Sequence, residues 1–396
     1  MAIYLNDLGL VNALGCGKQD VLANWLRNQA PSMQPRAEFL PGKSVMLGSV
    51  TVPLISIDHA EFATRTSSLL LCALQQLSAT IDQMKTKYGA ARIGVVIGTS
   101  TSGIEEGERY IVAQQRNENL ASYRYRQQEI GAPGLFVSKQ LGVSGPCLTV
   151  STACSSSAKV LATARNWLEM NLCDVVIAGG ADSLCRLTVN GFHALGLVSE
   201  ERCKPFEAAR KGINIGEAAA LFVISREQSP VRLLAVGESS DAYHISAPHP
   251  EGEGAQRSMQ AALQEAHLTT ADIDYINLHG TATPANDLAE AKSVAALFGD
   301  GVACSSTKSL TGHTLGAAGA TEAGLCWLLL QQLATVQKAT LPAQAGTPVY
   351  EPALPATGFL LANKTLSGKK KYAMLSNSFA FGGSNVSVIL GVEVAA

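Results

Sequence analysis

The strongest constraint on this chain is a series of short, almost uninterrupted apolar runs, each ending in glycine or a small polar residue. Residues 93–98, 147–151, 175–180, 219–224 and 275–278 all have this form. A strand with one wet face alternates apolar and polar residues. A run without alternation reads as a strand buried on both faces, which needs helices packed above and below the sheet. Segments with helical spacing do lie between the runs. Residues 157–170 place Ala158, Leu161, Ala162 and Leu168 on one side, and residues 321–333 follow a glycine-rich start. The expected class is α/β.

The pattern echoes itself faintly. Residues 174–180 lead on to 219–224, and residues 372–377 lead on to 385–390, so each half ends in two strands joined by a loop. Residues 246–254, rich in proline and glycine, read as a loop. At 396 residues the chain exceeds one ordinary core. The expectation is two α/β halves, residues 1–230 and 231–396.

Composition excludes several function classes. Apolar residues make up 47% and charged residues 16%, the balance of a well-buried enzyme. A net charge of −2 argues against nucleic-acid binding, which needs a basic face. The nine cysteines form no Cys-x-x-Cys pair and read as reduced thiols rather than a disulfide scaffold. Asp7 stands where a signal peptide would be basic, and the apolar stretch 323–330 is too short to span a bilayer. A soluble cytoplasmic protein with no membrane span is expected.

Cys154 lies where an apolar run stops and a helical pattern begins. A side chain there meets the positive end of a helix dipole, which favours the thiolate. Small neighbours leave room for a substrate, although a small core cysteine would fit the same slot. His279 ends an apolar run and opens into a loop of small residues, where α/β proteins place catalytic groups. His313 sits between Gly312 and Gly316 at a helix start. Such a start also suits phosphate, but no Gly-x-Gly-x-x-Gly follows a strand, so dinucleotide binding has little support. One cysteine and two histidines match zinc ligands in type. Their spacings are long and lack a short ligand pair, so no metal is expected.

Taken in order, these residues resemble the β-ketoacyl-[acyl carrier protein] synthases, the elongating Cys-His-His class of the thiolase superfamily. The resemblance runs through Thr152-Ala153-Cys154-Ser155-Ser156, residues 174–182, Pro205-Phe206-Glu207, residues 241–244, residues 277–283, residues 307–313 and residues 376–383. It implies a thiolase-like fold, two duplicated halves in αβαβα layers. It implies Cys154 as the acyl-accepting nucleophile, His279 and His313 as the pair serving decarboxylation, and Lys308 with Glu322 as their supporting pair. Thr281 and Thr283 match the threonines that hold the phosphopantetheine arm. Phe381 matches the residue whose backbone N–H joins that of Cys154 in the oxyanion hole, and Phe379 with Phe381 matches the gating loop.

The reaction implied is a decarboxylative Claisen condensation. An acyl group passes to Cys154, malonyl carrier protein loses CO₂, and the enolate attacks the thioester. Two imidazole N–H donors suit the negative charge that develops on the malonyl thioester oxygen. The histidines are therefore read as serving that step rather than as bases for the cysteine. The implied partners are an acyl carrier protein and a second ketosynthase-like subunit, either identical or a chain-length factor. No cofactor of the protein's own is implied, because the substrates ride on the carrier's phosphopantetheine arm. Arg65, Arg124, Arg126, Arg202 and Lys204 are candidates to dock an acidic carrier.

Two departures stand out. Ala218 replaces a common glycine after Glu217, and Ala380 replaces the first glycine of the gating loop. With residues 98–107, these variants look most like ketosynthases of aryl-polyene clusters. Two alternatives differ in class. A coenzyme A-dependent thiolase would need a second cysteine near its C-terminus, and none follows Cys326. A non-condensing chain-length factor would generally lack the nucleophile that is present here.

Overall fold

The computed structural model describes residues 2–119, 122–345 and 351–394. Ten strands form two five-stranded halves of the main sheet. The first half holds β1 (Tyr4–Asn12), β2 (Ile93–Gly98), β3 (Cys147–Val150), β4 (Val175–Asp182) and β5 (Ala218–Ser225). The second holds β6 (Val231–Ser240), β7 (Ile273–Leu278), β8 (Ala303–Ser306), β9 (Lys371–Phe379) and β10 (Ser384–Glu393). The spatial order is β3-β2-β4-β5-β1 in one half and β8-β7-β9-β10-β6 in the other. Each half is thus ordered third, second, fourth, fifth, first. In both, the first three of these strands run parallel and the last two pairings are antiparallel. The halves meet where Tyr4 of β1 pairs with Arg232 of β6. The fold is a duplicated, thiolase-like α/β architecture.

Six helices explain the layering: α1 (Arg65–Gln75), α2 (Ala132–Leu141), α3 (Ser156–Glu169), α4 (Glu253–Ala266), α5 (Pro284–Phe298) and α6 (Ala318–Val336). Successive strand residues point to opposite faces. Val95, Ile97 and Ile177 therefore pack outward with Leu70 of α1 and Phe136 of α2. Ile276, Leu375 and Ile389 pack outward with Met259 of α4 and Val294 of α5. The inward faces, with Val96, Val176, Phe222, Tyr275, Met374 and Val388, share one core with α3 and α6. Helices α3 and α6 are the middle layer, and both sheets bury them.

These two helices cross closely at Gly319, where a Cβ would lie 2.5 Å from the backbone nitrogen of Ala158. Only glycine permits that approach. It brings the start of α3, after Cys154, beside the start of α6, after His313.

Strands β2, β4, β5 and β7 are buried along their whole length, as continuous apolar runs require. Strand β3 differs. It is the outer strand of its half-sheet, and Cys147 and Leu148 are exposed. Its apolar sequence fits a buried strand, yet among the described residues no neighbour covers Cys147 and Leu148.

Candidate active site

Cys154 is positioned by a strained turn. Ala153, immediately before it, has φ 51°, left-handed backbone for a residue with a side chain. Such strain persists only where surrounding contacts fix it. Here the carbonyl of Ala153 accepts from Ser156 Oγ at 2.6 Å and Ser100 Oγ at 3.2 Å. The thiol ends up 6% exposed, on the floor of a cavity of about 320 Å³.

His313 reaches it from the other half, with Nε2 2.9 Å from Cys154 Sγ. The His313 backbone is clamped by the segment before β5: its N–H donates to Asn214 O at 2.7 Å, and its carbonyl accepts from Gly216 N at 2.9 Å. His279 leaves the end of β7, and its ring lies edge-on to that of His313 with centroids 5.3 Å apart. Buried Glu290 of α5 accepts the N–H groups of His279 at 2.8 Å and Gly280 at 2.7 Å, fixing the turn from which the ring projects.

The electrostatics are those of a dry site. Burial pushes the Cys154 thiol up to about 11, against the lowering influence of the Phe381 backbone N–H, the Lys308 charge and its own N–H. The expected thiolate is therefore not the resting form, because desolvation outweighs the helix terminus. Burial also holds both histidines well below their ordinary range, and Lys308 lowers them further. Both rings are neutral. Neither Nδ1 has a hydrogen-bond partner among the described residues.

Lys308 is fully buried and forms an ion pair with Glu322. Burial pushes the Glu322 carboxyl up to about 7, and Lys308 opposes that shift. The ligand atoms of Cys154, His279 and His313 lie within 4.8 Å of one another. The Lys308 charge acts on all three groups, which disfavours a second cation among them.

Thr281 and Thr283 line the cavity and share a hydrogen bond of 3.0 Å between their hydroxyls. Ala282 between them has φ 66°, and buried Asp287 accepts its N–H at 3.1 Å and that of Phe206 at 2.7 Å. The opposite wall is the loop between β9 and β10. Phe379 packs near His279, with centroids 6.2 Å apart, and Phe381 packs on Phe192 at 5.4 Å. Phe192, Leu195, Leu197, Ile213 and Pro248 make the rest of the cavity largely apolar. All nine candidate residues thus gather at one cavity or its immediate support.

The candidate docking residues are more scattered in role. Arg65 binds fully buried Glu217, with Nε at 2.8 Å, and Arg202 donates to Ser309 O at 2.6 Å. Both are tied into the chain. Arg126 pairs with Glu129 at 3.0 Å.

Sequence reasoning passed over three buried acids that hold the site together. Asp182 ends β4 and accepts the N–H groups of Thr101 at 2.9 Å and Gly316 at 2.6 Å, tying the loop behind Cys154 to the start of α6. Glu290 and Asp287 do the same for residues 279–283. The available signal was an acid at the end of an apolar run, in Asp182, and two acids facing the loop that precedes their own helix, in Asp287 and Glu290.

Residues 51–229 match the N-terminal domain of the β-ketoacyl synthases, and residues 232–341 match their C-terminal domain. The chain belongs to the β-ketoacyl synthase family. It is 35% identical over 318 residues to 3-oxoacyl-[acyl-carrier-protein] synthase 2 of Rhizobium meliloti, which covers 75% of this chain and 73% of that protein. It is 30% identical to nodulation protein E of the same organism, over 84% of each. Among solved structures, a chain of the ketosynthase ApeO in complex with its chain length factor ApeC, from Xenorhabdus doucetiae, superposes with a TM-score of 0.94. That match has 45% identity and covers 99% of this chain and 98% of the other. No helix among the described residues is long and apolar enough to cross a membrane.

Proposed function

We propose that this chain is an elongating β-ketoacyl-[acyl carrier protein] synthase that joins malonyl carrier protein to an acyl group held as a thioester on Cys154. The observation that carries the reading is the convergence of Cys154 Sγ with two neutral imidazoles in one apolar cavity. Residues 1–230 supply the nucleophile and residues 231–396 supply both histidines.

Acylation begins with a neutral thiol. As Sγ attacks the acyl thioester, His313 Nε2 at 2.9 Å takes its proton. The N–H groups of Cys154 and Phe381 hold the oxyanion, and the pantetheine thiol leaves with a proton. Malonyl carrier protein then enters past Thr281 and Thr283. Loss of CO₂ leaves an enolate, whose oxygen accepts hydrogen bonds from His279 and His313. Its carbon attacks the Cys154 thioester and releases the sulfur. His313 thus acts as acceptor in one half-reaction and donor in the other. This departs, for His313, from the expectation that the histidines serve the malonyl step rather than act as bases for the cysteine. Burial and the Lys308 charge favour the neutral form of both rings, and Glu322 holds Lys308 in place.

The protein uses no cofactor of its own, works in the cytoplasm and takes its substrates on a phosphopantetheine arm. The likeness to the ApeO–ApeC complex favours a chain-length factor as partner subunit and aryl-polyene chains as cargo. Incubation with acyl and malonyl carrier proteins, followed by mass spectrometry of the carrier, tests the activity. Wild type yields a 3-oxoacyl carrier, and Cys154→Ala loses at least about 10⁴-fold in condensation. Product formation by Cys154→Ala at the wild-type rate overturns the assignment.

A further inference from the structure

Two cysteines outside the active site face each other. Cys16 follows β1 in a two-residue strand paired back onto it, and Cys72 lies in α1; their sulfurs are 3.3 Å apart across 56 residues of sequence. Both are half-buried, so a small oxidant can reach them. Among the described residues no other two cysteine sulfurs are within hydrogen-bonding reach. The backbone on each side is already fixed. Gln76 of the same helical segment accepts from Leu10 N at 3.1 Å and donates to Leu10 O at 3.1 Å, pinning the hairpin to α1 beside the two thiols.

We propose that Cys16 and Cys72 form a peroxide-responsive dithiol that closes to a reversible disulfide and staples the N-terminal hairpin to α1. A disulfide needs the sulfurs at about 2.05 Å, a closure within reach of small side-chain rotations from contact distance. The chemistry balances. Cys16 sulfur attacks hydrogen peroxide, breaking its O–O bond, and becomes a sulfenic acid while one water leaves. Cys72 sulfur then displaces the hydroxyl from Cys16, and the Cys72 proton departs with it as a second water. The two sulfurs give up two electrons and the peroxide is reduced. The roles of the two sulfurs can be exchanged without changing the balance or the product.

The staple would act on the helix that carries Arg65 and Thr66 in its first turn. Arg65 binds Glu217, and Thr66 Oγ1 meets Ser183 Oγ at 2.8 Å. Linking residues so far apart in sequence restricts the unfolded chain, so the oxidised protein resists unfolding more than the reduced one.

The test uses the full chain. Graded hydrogen peroxide is followed by alkylation, intact-mass measurement and peptide mapping. The expected result is a mass about 2 Da below that of the untreated protein before alkylation, the two hydrogens removed, and two fewer alkyl groups after it. A Cys16–Cys72 cross-linked peptide accompanies it, a phosphine reductant reverses both, and the apparent melting temperature rises by several degrees. Cys72→Ser and Cys16→Ser, made separately, should each abolish the cross-link and the thermal shift. Wild type whose Cys16 and Cys72 both remain alkylatable at peroxide doses that oxidise exposed Cys147 overturns the proposal. So does a wild type in which Cys16 gains oxygen without forming the bridge.

Discussion

Strands β3 and β8 hold the same place in their half-sheets, third in sequence and outermost in space, and each leads to a loop that delivers a reactive side chain. They are treated in opposite ways. The edge of β8 is closed by its own chain: Cys304 N donates to Gly358 O at 2.9 Å, Leu360 N donates to Cys304 O at 3.0 Å, and Gln344 Oε1 accepts from Ser306 N at 2.7 Å. The edge of β3 is bare, with Leu148 46% exposed beside exposed Ile130 and Leu135. An open apolar edge is a template for a second chain. The half that carries the nucleophile is therefore the half that needs a partner, and β3 ends only four residues before Cys154. Assembly and reactivity meet on one strand.

The reactive side chains themselves divide unevenly, and that division predicts the largest effects. His313 Nε2 lies 2.9 Å from Cys154 Sγ, within hydrogen-bonding reach, whereas His279 is near that sulfur without a hydrogen bond to it and lies edge-on to the ring of His313. Each His→Ala variant should lose about 10²–10³-fold in condensation, the loss typical of one donor to a developing oxyanion. They should part company in the first half-reaction. His313→Ala should also slow transfer of the acyl group to Cys154, and His279→Ala should leave it near the wild-type rate. Single-turnover acylation from an acyl carrier protein separates the two. Equal acylation rates in both variants would remove the proton-acceptor role from His313.

The edges can be broken independently. Leu148→Asp places a charge where a partner strand must pack and should weaken association by at least about 10²-fold, given several kcal/mol for an uncompensated buried charge. Light scattering after gel filtration reads that change, and the melting temperature of the single chain should move little. Leu360→Ala, on the self-closed edge, should instead cost about 2–5 kcal/mol of stability without changing oligomeric state. A monomeric wild type would end the comparison, since the β3 edge would then be bare in solution as well.

A smaller test concerns the charge on Cys154 itself. Its thiol is raised to about 11, so the thiolate fraction grows with pH across the neutral and mildly alkaline range. Iodoacetamide labelling of the Cys154 peptide should rise about tenfold per pH unit from about pH 7 to 10 and level off near 11. Flat labelling between pH 7 and 9 would mean that the helix terminus, not desolvation, sets this group.

Much of this was legible in the sequence. Uninterrupted apolar runs gave β2, β4, β5 and β7 because burial on both faces leaves no polar alternation to confuse them. Cys154, His279 and His313 could be found because each stands at the end of an apolar run or among glycines, where little else competes for the position. The exposure of β3 was not legible, since an apolar edge awaiting a second chain has the same sequence as a buried strand. The state of Cys154 was misjudged for a related reason: a helix terminus is visible locally, whereas desolvation depends on residues 159 and 227 positions away, at His313 and Phe381. The buried acids Asp182, Asp287 and Glu290 escaped notice because many of their partners are backbone N–H groups, which carry no sequence signal.

The smallest expected effect lies in the loop between β9 and β10, where Ala380 replaces the first glycine of the gating loop. The turn is made elsewhere. Gly382 and Gly383 have φ of 82° and 78°, while Ala380 is outside the left-handed region and is held by its N–H to Ser384 O at 2.9 Å and its carbonyl to Gly383 N at 3.0 Å. Ala380 thus occupies backbone that suits any residue, and it narrows the range of the open loop without straining the closed one. Ala380→Gly should destabilise the closed loop by about 0.4–1 kcal/mol, roughly two- to fivefold in its population. If Phe381 supplies the proposed oxyanion N–H from that closed position, where its backbone N–H already acts on Cys154, the loss should fall on kcat for acylation rather than on KM for carrier protein. A change confined to KM would show that the loop governs entry to the cavity and not the geometry over Cys154.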